Sequence, residues 1–447
     1  MQPEPTPPEA PEILTADQLI EIWPGLDDPE ARAEAFHRLR RADAHDFFLE
    51  LPAQEQASLL LTLPRGERRL WMRALAPDDA ADVLQEVESE DDRADLMKLL
   101  DDTTRREVRA LLAYAEDAAG GLMSPHFARV RPDSTVDEAI RYLRRQARSE
   151  PETLYYGYVL DAEQRLLGVV SLRQLITAPG NRRISEMMDA DVISVRDDTD
   201  QETVARVFTH HDLMAIPVID AEGRMKGIVT VDDIVDVVEE EATEDIQKLG
   251  GMEALDAPYL RTPLLQMVRK RAGWLAALFI GEMLTATAMA SYEDEIARAV
   301  VLALFVPLII SSGGNSGSQA TTLVIRAMAL GEVRPIDALR VFRREIISGL
   351  LLGSILGLIG LARVLVWESV FHSYGDHALR LGITVALSLL GVVTFGTLAG
   401  SLLPFLLRAL RLDPASASAP FVATLVDVSG IIIYFTVAEV ILRGALL

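Results

Sequence analysis

One carboxylate in the C-terminal part of the chain lies inside a long apolar segment, because Asp427 is flanked by the residues PFVATLV and VSG. An ionised carboxylate inside a bilayer costs at least about 2.5 kcal/mol unless it faces water, a cation or a partner side chain. Two interpretations stay open: Asp427 borders a cation path, or it pairs with an arginine such as Arg363 of another apolar segment. Glu439, near the outer end of the same segment, can reach water more easily, and Glu282, in the first apolar segment, is a weaker candidate than Asp427.

A second polar feature interrupts another apolar segment, where residues 307–322 have the sequence PLIISSGGNSGSQATT. Four residues there disfavour a regular helix: Pro307, Gly313, Gly314 and Gly317. Irregular backbone at membrane depth is tolerated only where it is buried in protein or borders water. Freed carbonyls, with the side chains of Asn315, Ser316 and Gln319, would then be oxygen ligands for a hydrated hard cation. The alternative is that the glycines only allow close helix packing.

Acidic residues crowd a third segment, VDDIVDVVEEEATEDIQKL (231–249), which is predicted to form one helix. Carboxylates four residues apart destabilise a helix by about 0.2–0.5 kcal/mol per pair. Four such pairs occur here: Asp232/Asp236, Asp236/Glu240, Glu240/Glu244 and Glu241/Asp245. The helix is therefore expected to splay or bend unless cations neutralise it, although a solvated acidic face is the alternative. Its position just before the first apolar span favours a cation-sensitive connecting helix.

Charge is distributed unevenly along the 447 residues, whose formal net charge is -24. Residues 1–258 contain 55 Asp and Glu against 28 Lys and Arg, whereas residues 259–447 contain 12 against 15. The acidic half disfavours nucleic acid as a partner and favours cations. The absence of cysteine excludes disulfides and zinc–thiolate sites. Residues 1–14 lack the features of a signal peptide and are predicted to be a disordered leader, which keeps the acidic half cytosolic.

Five stretches are long and apolar enough to cross a membrane, which takes about 20 residues. They are 274–290, 299–325, 346–367, 381–407 and 420–442. Most basic residues near their ends fall on one side: Arg269, Lys270, Arg271, Arg326, Arg334, Arg340, Arg343, Arg344, Arg408 and Arg411. The other side has Arg298, Arg380 and Arg443. This asymmetry predicts a multi-pass protein of the cell inner (plasma) membrane, with a cytoplasmic N-terminus and an external C-terminus.

The acidic half contains two kinds of repeat. Residues 15–115 have the apolar spacing of helices throughout, and LPAQEQASLLLTL (51–63) is echoed by LAPDDAADVLQEV (75–87), which predicts stacked helical hairpins. Residues 123–238 contain a clearer duplication, in which YVLDAEQRLLGVVSLRQLI (158–176) matches PVIDAEGRMKGIVTVDDIV (217–235). Each copy predicts the order helix, strand, turn, strand, helix.

The duplicated region resembles a tandem CBS-domain pair. Such pairs often bind adenosine nucleotides through a Gly-x-x-Thr/Ser-x-x-Asp segment. The second copy keeps all three residues, which are Gly227, Thr230 and Asp233. The first copy has Gly168 and Ser171 but Gln174 in place of the aspartate. The resemblance therefore supports an ATP site in the second copy only, with Thr230 and Asp233 as its residues.

The whole order of segments resembles the MgtE-type magnesium channels and transporters. The likeness is carried by EDAAGGLMS (116–124), EEEATEDIQKLGG (239–251), PLIISSGGNSGSQATTLVIRAMA (307–329) and LDPASASAPFVATLVDVSG (412–430). It implies a multidomain fold with an all-α superhelical N-domain, an α/β tandem CBS pair, an acidic connecting helix and an all-α transmembrane domain of five helices. The implied boundaries are 1–14 for the leader, 15–122, 123–238, 239–258 and 259–447.

The resemblance also implies roles for single residues. Asp427 matches the pore aspartate that holds a hydrated Mg2+, and the implied pore lining is Ala423, Asn315, Gly313 and Gly314. The implied sensor acids are Asp91, Asp95, Asp200, Glu202, Asp212, Asp233, Asp236, Glu241, Glu244, Asp245 and Asp413. Family members are homodimers in the lipid bilayer, in which Mg2+ bound between cytosolic domains holds the pore closed.

The expected function is thus import of Mg2+ across the plasma membrane, with closure by internal Mg2+. The alternative is a CBS-regulated secondary transporter of another divalent cation or solute. For an anion or organic solute, a basic residue such as Arg363 is expected at the substrate site. No P-loop, HExxH or serine–histidine–aspartate spacing is present, so the sequence predicts that the protein is not an enzyme.

Overall fold

The computed structural model describes residues 13–26, 28–146, 153–255, 257, 259–260, 262–372 and 374–443. The chain divides into two compact units, Met1–Glu240 and Glu241–Leu447. The first is built from short helices and two small sheets, and the second from long helices, as the sequence predicts. The leader falls largely outside the described residues.

The part of residues 13–111 that the structure describes forms eight short α-helices, which confirms the helical prediction for this region. They are α1 Ala16–Ile22, α2 Pro29–His37, α3 Arg41–Leu49, α4 Ala53–Thr62, α5 Arg65–Met72, α6 Pro77–Gln85, α7 Glu90–Met97 and α8 Asp102–Leu111. The two echoed segments are α4 and α6, each of which has a proline at its first turn or cap. Their apolar faces meet in one core around Phe36, Phe48 and Trp71.

Two similar α/β modules follow α8, in agreement with the predicted duplication. The elements are α9 Ala119–Leu122, β1 Phe127–Val130, α10 Val136–Gln146, β2 Thr153–Leu160, β3 Leu166–Ser171, α11 Leu172–Thr177, β4 Val195–Arg196, α12 Gln201–His211, β5 Ala215–Ile219, β6 Met225–Thr230 and α13 Val231–Leu249. The sheets have the orders β1-β2-β3 and β4-β5-β6. In each, the first pair of strands is parallel and the second is an antiparallel hairpin.

Helix α13 carries the whole acidic segment and begins in the first unit and ends in the second. It is one unbroken helix of 19 residues, so the expected splaying is not observed. Buried Ile234 and Val237 hold its first turns against the core. An ion pair from Lys248 to Glu244, four residues earlier, stabilises its last turn. Packing and this pair outweigh a repulsion of a few tenths of a kcal/mol per carboxylate pair.

Among its described residues, the second unit contains five helices with the length and composition of membrane spans, as predicted. They are α14 Leu264–Ala290, α16 Val306–Ala329, α17 Ala338–Phe371, α18 Ala378–Ala409 and α19 Ala419–Leu442, and the short α15 Glu293–Arg298 follows α14. Three-residue 3-10 turns precede α17, α18 and α19: Pro335–Asp337, Gly375–His377 and Pro414–Ser416. Helix α18 lies against α16, α17 and α19 and forms the centre of the unit.

The prediction that α16 is broken by its proline and glycines is wrong. The helix is continuous, because Pro307 lies in its first turn, where no intrahelical hydrogen bond is lost. Its glycines instead bring backbones together. A Cβ on Gly396 of α18 would lie 2.3 Å from the Gly313 carbonyl oxygen, and a Cβ on Gly400 would lie 2.2 Å from that of Gly317. The alternative of close helix packing is therefore the correct one for these two glycines.

Candidate cation site

Asp427 lies on α19 between two neighbouring helices. On one side α14 approaches so closely that a Cβ on Gly281 would lie 2.9 Å from Thr424 Cγ2. On the other side α16 approaches at Gly314, whose Cβ would lie 3.6 Å from the Ala423 Cα. Small residues at both contacts thus hold three helices together around the turn of α19 that follows Ala423. The Asp427 side chain is half-buried in this position.

The partner of Asp427 is a second carboxyl group rather than a base. Glu282 of α14 forms a side-chain hydrogen bond with Asp427. Arg363, the basic residue considered from the sequence, instead places its guanidinium 3.6 Å from the ring centroid of Trp367. In the described part of the chain, Asp427 has no ion pair with a basic side chain. Two carboxyl groups attract each other only when they share a proton or a cation, since two ionised groups repel.

Polar side chains continue from this point along one exposed face of α16. They follow helical spacing: Ser311, Asn315, Gln319 and Thr322. Gly313 and Gly314 are buried, and Gly313 packs against Val392 and Val426. Of the predicted pore residues, Asn315 thus belongs to the polar face, and Ala423 contacts the same helix through Gly314. Backbone carbonyls are not freed here, because α16 is regular.

At the end of α13, the structure brings together two predicted sensor acids around a lysine. The Lys248 ammonium lies 2.6 Å from Glu244 Oε1 and 2.7 Å from Asp413 Oδ2. Burial opposes the charged amine, but the hydrogen bonds to Asp413 and Glu244 prevail and raise the pKa of Lys248 to about 12. Asp413 also caps the turn Pro414–Ser416 by accepting a hydrogen bond from the Ala415 amide. Glu241 and Asp245 lie on the same helix as Glu244.

This ion triad lies beside a small apolar contact within the second unit. Leu249 packs with Ile325, Ala415 and Ala417. Nearby, the Trp274 indole donates a hydrogen bond to Ser418 Oγ, which caps the start of α19. The last turn of α13 is therefore attached to the loop that leads directly into the helix of Asp427.

The two residues predicted for a nucleotide are close together but are occupied with each other. Asp233 accepts hydrogen bonds from the Thr230 hydroxyl at 2.8 Å and the Thr230 amide at 3.1 Å. In the first module, Ser171 and Gln174 form the equivalent capping box. Gln174 thus makes the helix-capping contacts that Asp233 makes in the second module. In both modules, this segment begins a helix.

An acidic cluster that the sequence did not reveal lies where α6 meets the second module. Burial, followed by the charges of Asp79, Asp233, Glu116 and Glu86, raises the pKa of Asp82 to about 8. Burial also raises the pKa of Asp79, with a further contribution from Asp232. The signal in the sequence was PDDAAD (77–82), but the pattern of α6 alone does not show that its acids face Asp232 and Asp233.

The other predicted sensor acids are more scattered within the chain. Asp200 caps α12 through the amides of Glu202 and Thr203, and Asp212 ends that helix in the left-handed region with φ 50°. Burial, then Glu239 and Asp232, raises the pKa of Asp236.

In the helical region, Asp95 pairs with Lys98 at 2.8 Å and Arg65 at 3.7 Å, while Asp91 lies in the first turn of α7. Among the described residues, no three His, Asp or Glu side chains form a ready set of metal ligands.

Comparison with known proteins agrees with this organisation. The MgtE intracellular N domain matches residues 14–117, the CBS domain matches residues 119–181 and 184–240, and the divalent cation transporter domain MgtE matches residues 306–437. A solved structure described as the cytosolic domain of the Mg2+ channel MgtE in complex with ATP is 46% identical. It covers 50% of this chain and 90% of its own, with a TM-score of 0.47.

Two similar proteins share most of their length with this chain. The magnesium transporter MgtE of Enterococcus faecalis is 36% identical over 337 residues, which are 75% of this chain and 72% of that protein. The magnesium transporter MgtE of Thermus thermophilus is 43% identical over 435 residues, which are 97% of this chain and 94% of that protein. With an identity of this size over nearly all of both sequences, the chain belongs to the MgtE family of divalent cation transporters.

Proposed function

We propose that this protein transports Mg2+ across the plasma membrane along a path bordered by Asp427. One observation carries the proposal: the Asp427 carboxyl lies in a membrane-spanning helix and meets another carboxyl, Glu282, instead of a base. Such a pair is stabilised by a cation between or beside its oxygens. Membership of the family whose relatives are named magnesium transporters supports Mg2+ as that cation.

The chemistry of Mg2+ fits a sparse site of this kind. The ion dehydrates reluctantly and binds through one or two carboxylates while it keeps several waters. The Asp427 carboxylate supplies the charge that attracts the ion, and Glu282 holds the Asp427 carboxyl in position. Asn315 and Gln319 offer amide oxygens to the waters of the ion from the neighbouring helix. The path needs no irregular backbone, since side chains alone supply its polar groups.

The polar face of α16 also supports a homodimer. Ser311, Asn315, Gln319 and Thr322 are exposed in a single chain, and lipid is a poor environment for them. A second copy that faces this surface would close a water-filled path between two α16 helices and two Asp427 carboxylates. The same arrangement lets acids that are scattered within one chain meet those of a partner.

Gating follows from the acidic cytosolic elements. When internal Mg2+ is low, carboxylates of α6, α12 and α13 repel one another, whereas bound Mg2+ bridges them and favours the closed arrangement. The sensor acids would be Asp91, Asp95, Asp200, Glu202, Asp212, Asp233, Asp236, Glu241, Glu244, Asp245 and Asp413. The Lys248 triad supports this role, because it attaches the end of α13 to the loop before α19.

Orientation and nucleotide binding complete the proposal. The basic residues near the ends of α14, α16, α17 and α18 support a cytoplasmic N-terminus and an external C-terminus, and the proposed direction of transport is import. ATP is proposed at the second CBS module, where Thr230 and Asp233 would exchange their mutual hydrogen bonds for the ribose hydroxyls.

Flux into liposomes tests the path. The purified protein is reconstituted into liposomes that contain a Mg2+ indicator. Asp427→Asn should slow Mg2+ entry by at least about tenfold, which corresponds to a loss of about 1.4 kcal/mol in the interaction with the ion. Glu282→Gln should reduce the rate less, because Asp427 keeps its charge. Glu439→Gln, an exposed acid near the end of the same helix, is the matched control and should conduct normally. Normal Mg2+ flux in Asp427→Asn would refute the assigned path.

A second experiment tests the gate separately. The triple variant Asp233→Asn, Asp236→Asn, Glu241→Gln should stay open when millimolar Mg2+ is present on the cytoplasmic side, while wild type closes. Closure identical to wild type would remove these acids from the sensor and leave the path intact. Repeating the flux with Mn2+, Co2+ and Ca2+ separates Mg2+ transport from the alternative of another divalent cation.

A further inference from the structure

Arg363 is a basic side chain inside an apolar span, and the proposed cation path does not use it. It lies on α17, a helix that packs mainly on α18. The Arg363 side chain is exposed and, among the residues that the structure describes, it has no ion pair. A guanidinium in hydrocarbon is costly unless hydrogen-bond acceptors reach it, so the position of Arg363 calls for a ligand that supplies them.

Two aromatic rings continue from Arg363 toward the end of the helix. The central carbon of the Arg363 guanidinium lies 3.6 Å from the ring centroid of Trp367, and the ring centroids of Trp367 and Phe371 are 4.9 Å apart. Glu368, the nearest acid along the helix, accepts hydrogen bonds instead from two amides of the loop after α17, at 2.6 and 3.1 Å. The cation–π contact therefore orients the guanidinium and leaves its N–H donors available to other acceptors.

The length of α17 shows where Arg363 lies relative to the bilayer. The helix has 34 residues and is about 51 Å long, whereas the hydrocarbon core is about 30 Å thick. Exposed Arg344 precedes the apolar run 346–362, which carries no charge. Arg344 and Arg363 are 19 residues apart, which is about 28 Å along a helix. With Arg344 at one boundary of the hydrocarbon, Arg363 lies at the other boundary, at the level of the lipid phosphates.

The face of α17 that leads to Arg363 is apolar and exposed. Ile355, Ile359 and Arg363 follow each other at the spacing of one helical turn. The two isoleucines are 55% and 60% exposed, and Trp367, which is 39% exposed, has a ring type that is enriched at membrane boundaries. This order matches a phospholipid, whose acyl chains lie on one side of its phosphate. An acidic protein segment would match the guanidinium but not the exposed isoleucines.

We infer that Arg363, held against Trp367, binds the phosphate group of a membrane phospholipid. A guanidinium offers paired N–H donors that match phosphate oxygens. The acyl chains of the same lipid lie along Ile355 and Ile359. The inference does not depend on the cation path, because Arg363 belongs to α17 whereas Asp427 belongs to α19.

Trp367 provides the signal for a test on the full-length protein in detergent. Subtracting the emission of a matched Trp367→Phe variant isolates Trp367 from the other three of the four tryptophans. A phosphatidylcholine with a nitroxide on its headgroup should quench this signal. Arg363→Gln should raise the concentration for half-quenching about fivefold, which is about 1 kcal/mol. Arg380→Gln removes an exposed arginine from the first turn of α18 and should leave that concentration unchanged.

Two competitors identify the ligand. Unlabelled phosphatidylcholine should displace the nitroxide lipid, whereas a diacylglycerol with the same acyl chains and no phosphate should not. Inorganic phosphate, added at constant ionic strength, should not displace it either, because it has no acyl chains to contact Ile355 and Ile359. Wild-type quenching in Arg363→Gln would overturn the inference, as would displacement by the diacylglycerol or by inorganic phosphate.

Cysteine labelling tests the level of Arg363, since the chain contains no cysteine of its own. In lipid nanodiscs, a water-soluble maleimide should label Val370→Cys, which lies beyond Arg363, and should leave Ile359→Cys unlabelled, because the reaction needs a thiolate in water. Both positions are 60% exposed, so neither variant disturbs the packing of α17. Equal labelling of the two variants, or labelling of neither, would place Arg363 away from the boundary and would overturn the inference.

Discussion

At the residue scale, Lys248 shows how a side chain can take the place of a bound cation. Its ammonium lies between Glu244 and Asp413, which would otherwise repel each other. These groups are between 26% and 39% exposed, so solvent weakens the interaction and about 1 kcal/mol is a reasonable value. The same two acids are proposed Mg2+ ligands. Lysine and Mg2+ would therefore compensate for each other at this point.

Lys248→Met should loosen the last turn of α13 when Mg2+ is absent. Loss of about 1 kcal/mol corresponds to about fivefold faster exchange of the amides near Lys248. Addition of Mg2+ should restore the slow exchange, because the ion can bridge the two carboxylates. Lys248→Arg keeps the charge and should behave as wild type. Hydrogen exchange with mass spectrometry on the full chain measures all three, and unchanged exchange in Lys248→Met would contradict the bridging role.

Tyr158 provides a test of a buried polar group. Its ring is buried against Phe127 at 5.9 Å between centroids, but its hydroxyl has no hydrogen-bond partner within the described residues. A buried hydroxyl without a partner costs about 1–3 kcal/mol, so Tyr158→Phe should raise the stability of the first CBS module by about 1 kcal/mol. Tyr156→Phe, at a half-buried ring on the same strand, should have little effect. Amide protection in β2 and β3 measures both, and a destabilised Tyr158→Phe would indicate a bound water or ligand at the hydroxyl.

At the element scale, α16 explains where sequence reasoning fails. Proline and glycine disfavour helices in isolation, but both are accommodated when proline begins the helix and glycine faces another backbone. The condition for the glycines depends on α18, which lies about 80 residues later in the sequence. Spans, repeats and the acidic helix were predictable because apolar periodicity and composition are local properties.

The partners of the site residues were not predictable for the same reason. The pairing of Asp427 with Glu282 depends on the contact of α14 with α19 through Gly281, and that of Asp82 with Asp233 depends on the contact of α6 with the second module. Asp427 itself was identifiable because a carboxylate in an apolar span is costly wherever its partner lies.

Two glycines of the membrane helices are predicted to respond to alanine in opposite ways, because only one of them lies at the contact of α16 with α18. Gly396→Ala places a methyl group against the Gly313 carbonyl and should destabilise the membrane unit by about 1–3 kcal/mol. Gly273→Ala in α14 meets only one atom, Glu253 Oε1, at 4.0 Å, so the higher helix propensity of alanine should make it neutral or stabilising by up to about 1 kcal/mol. Thermal unfolding in detergent, followed by circular dichroism, compares the two variants. A tolerated Gly396→Ala would show that the helices can separate without loss.

At the scale of the whole molecule, the excess of acid in the N-terminal half has a cost in stability that depends on pH and on cations. Asp82 is held where α6 approaches Asp233 and Glu116, close to Asp79 of the same helix, so its ionised form is disfavoured in the folded protein. The folded arrangement therefore favours a proton on Asp82, or a cation beside it. The proposed gate uses this property, since Mg2+ stabilises the closed arrangement only if the acids it bridges repel one another in its absence.

Asp82 makes the stability of this region depend on pH in a defined direction. Its pKa is about 8 in the folded protein and 3.8 ordinarily, so between these values the folded state holds a proton that the unfolded state lacks. Stability contributed by the protonated form is therefore complete below pH 4 and is lost as the pH rises toward about 8. Asp82→Asn removes the charge and should increase the protection of α6 amides at pH 8 by at least about tenfold, while little difference remains at pH 4. Glu88→Gln, an exposed acid nearby, should change neither value. Protection factors from hydrogen exchange of the full chain in Mg2+-free buffer provide the measurement. If the mutant and wild type lose protection equally between pH 4 and pH 8, Asp82 is not the group that destabilises this contact.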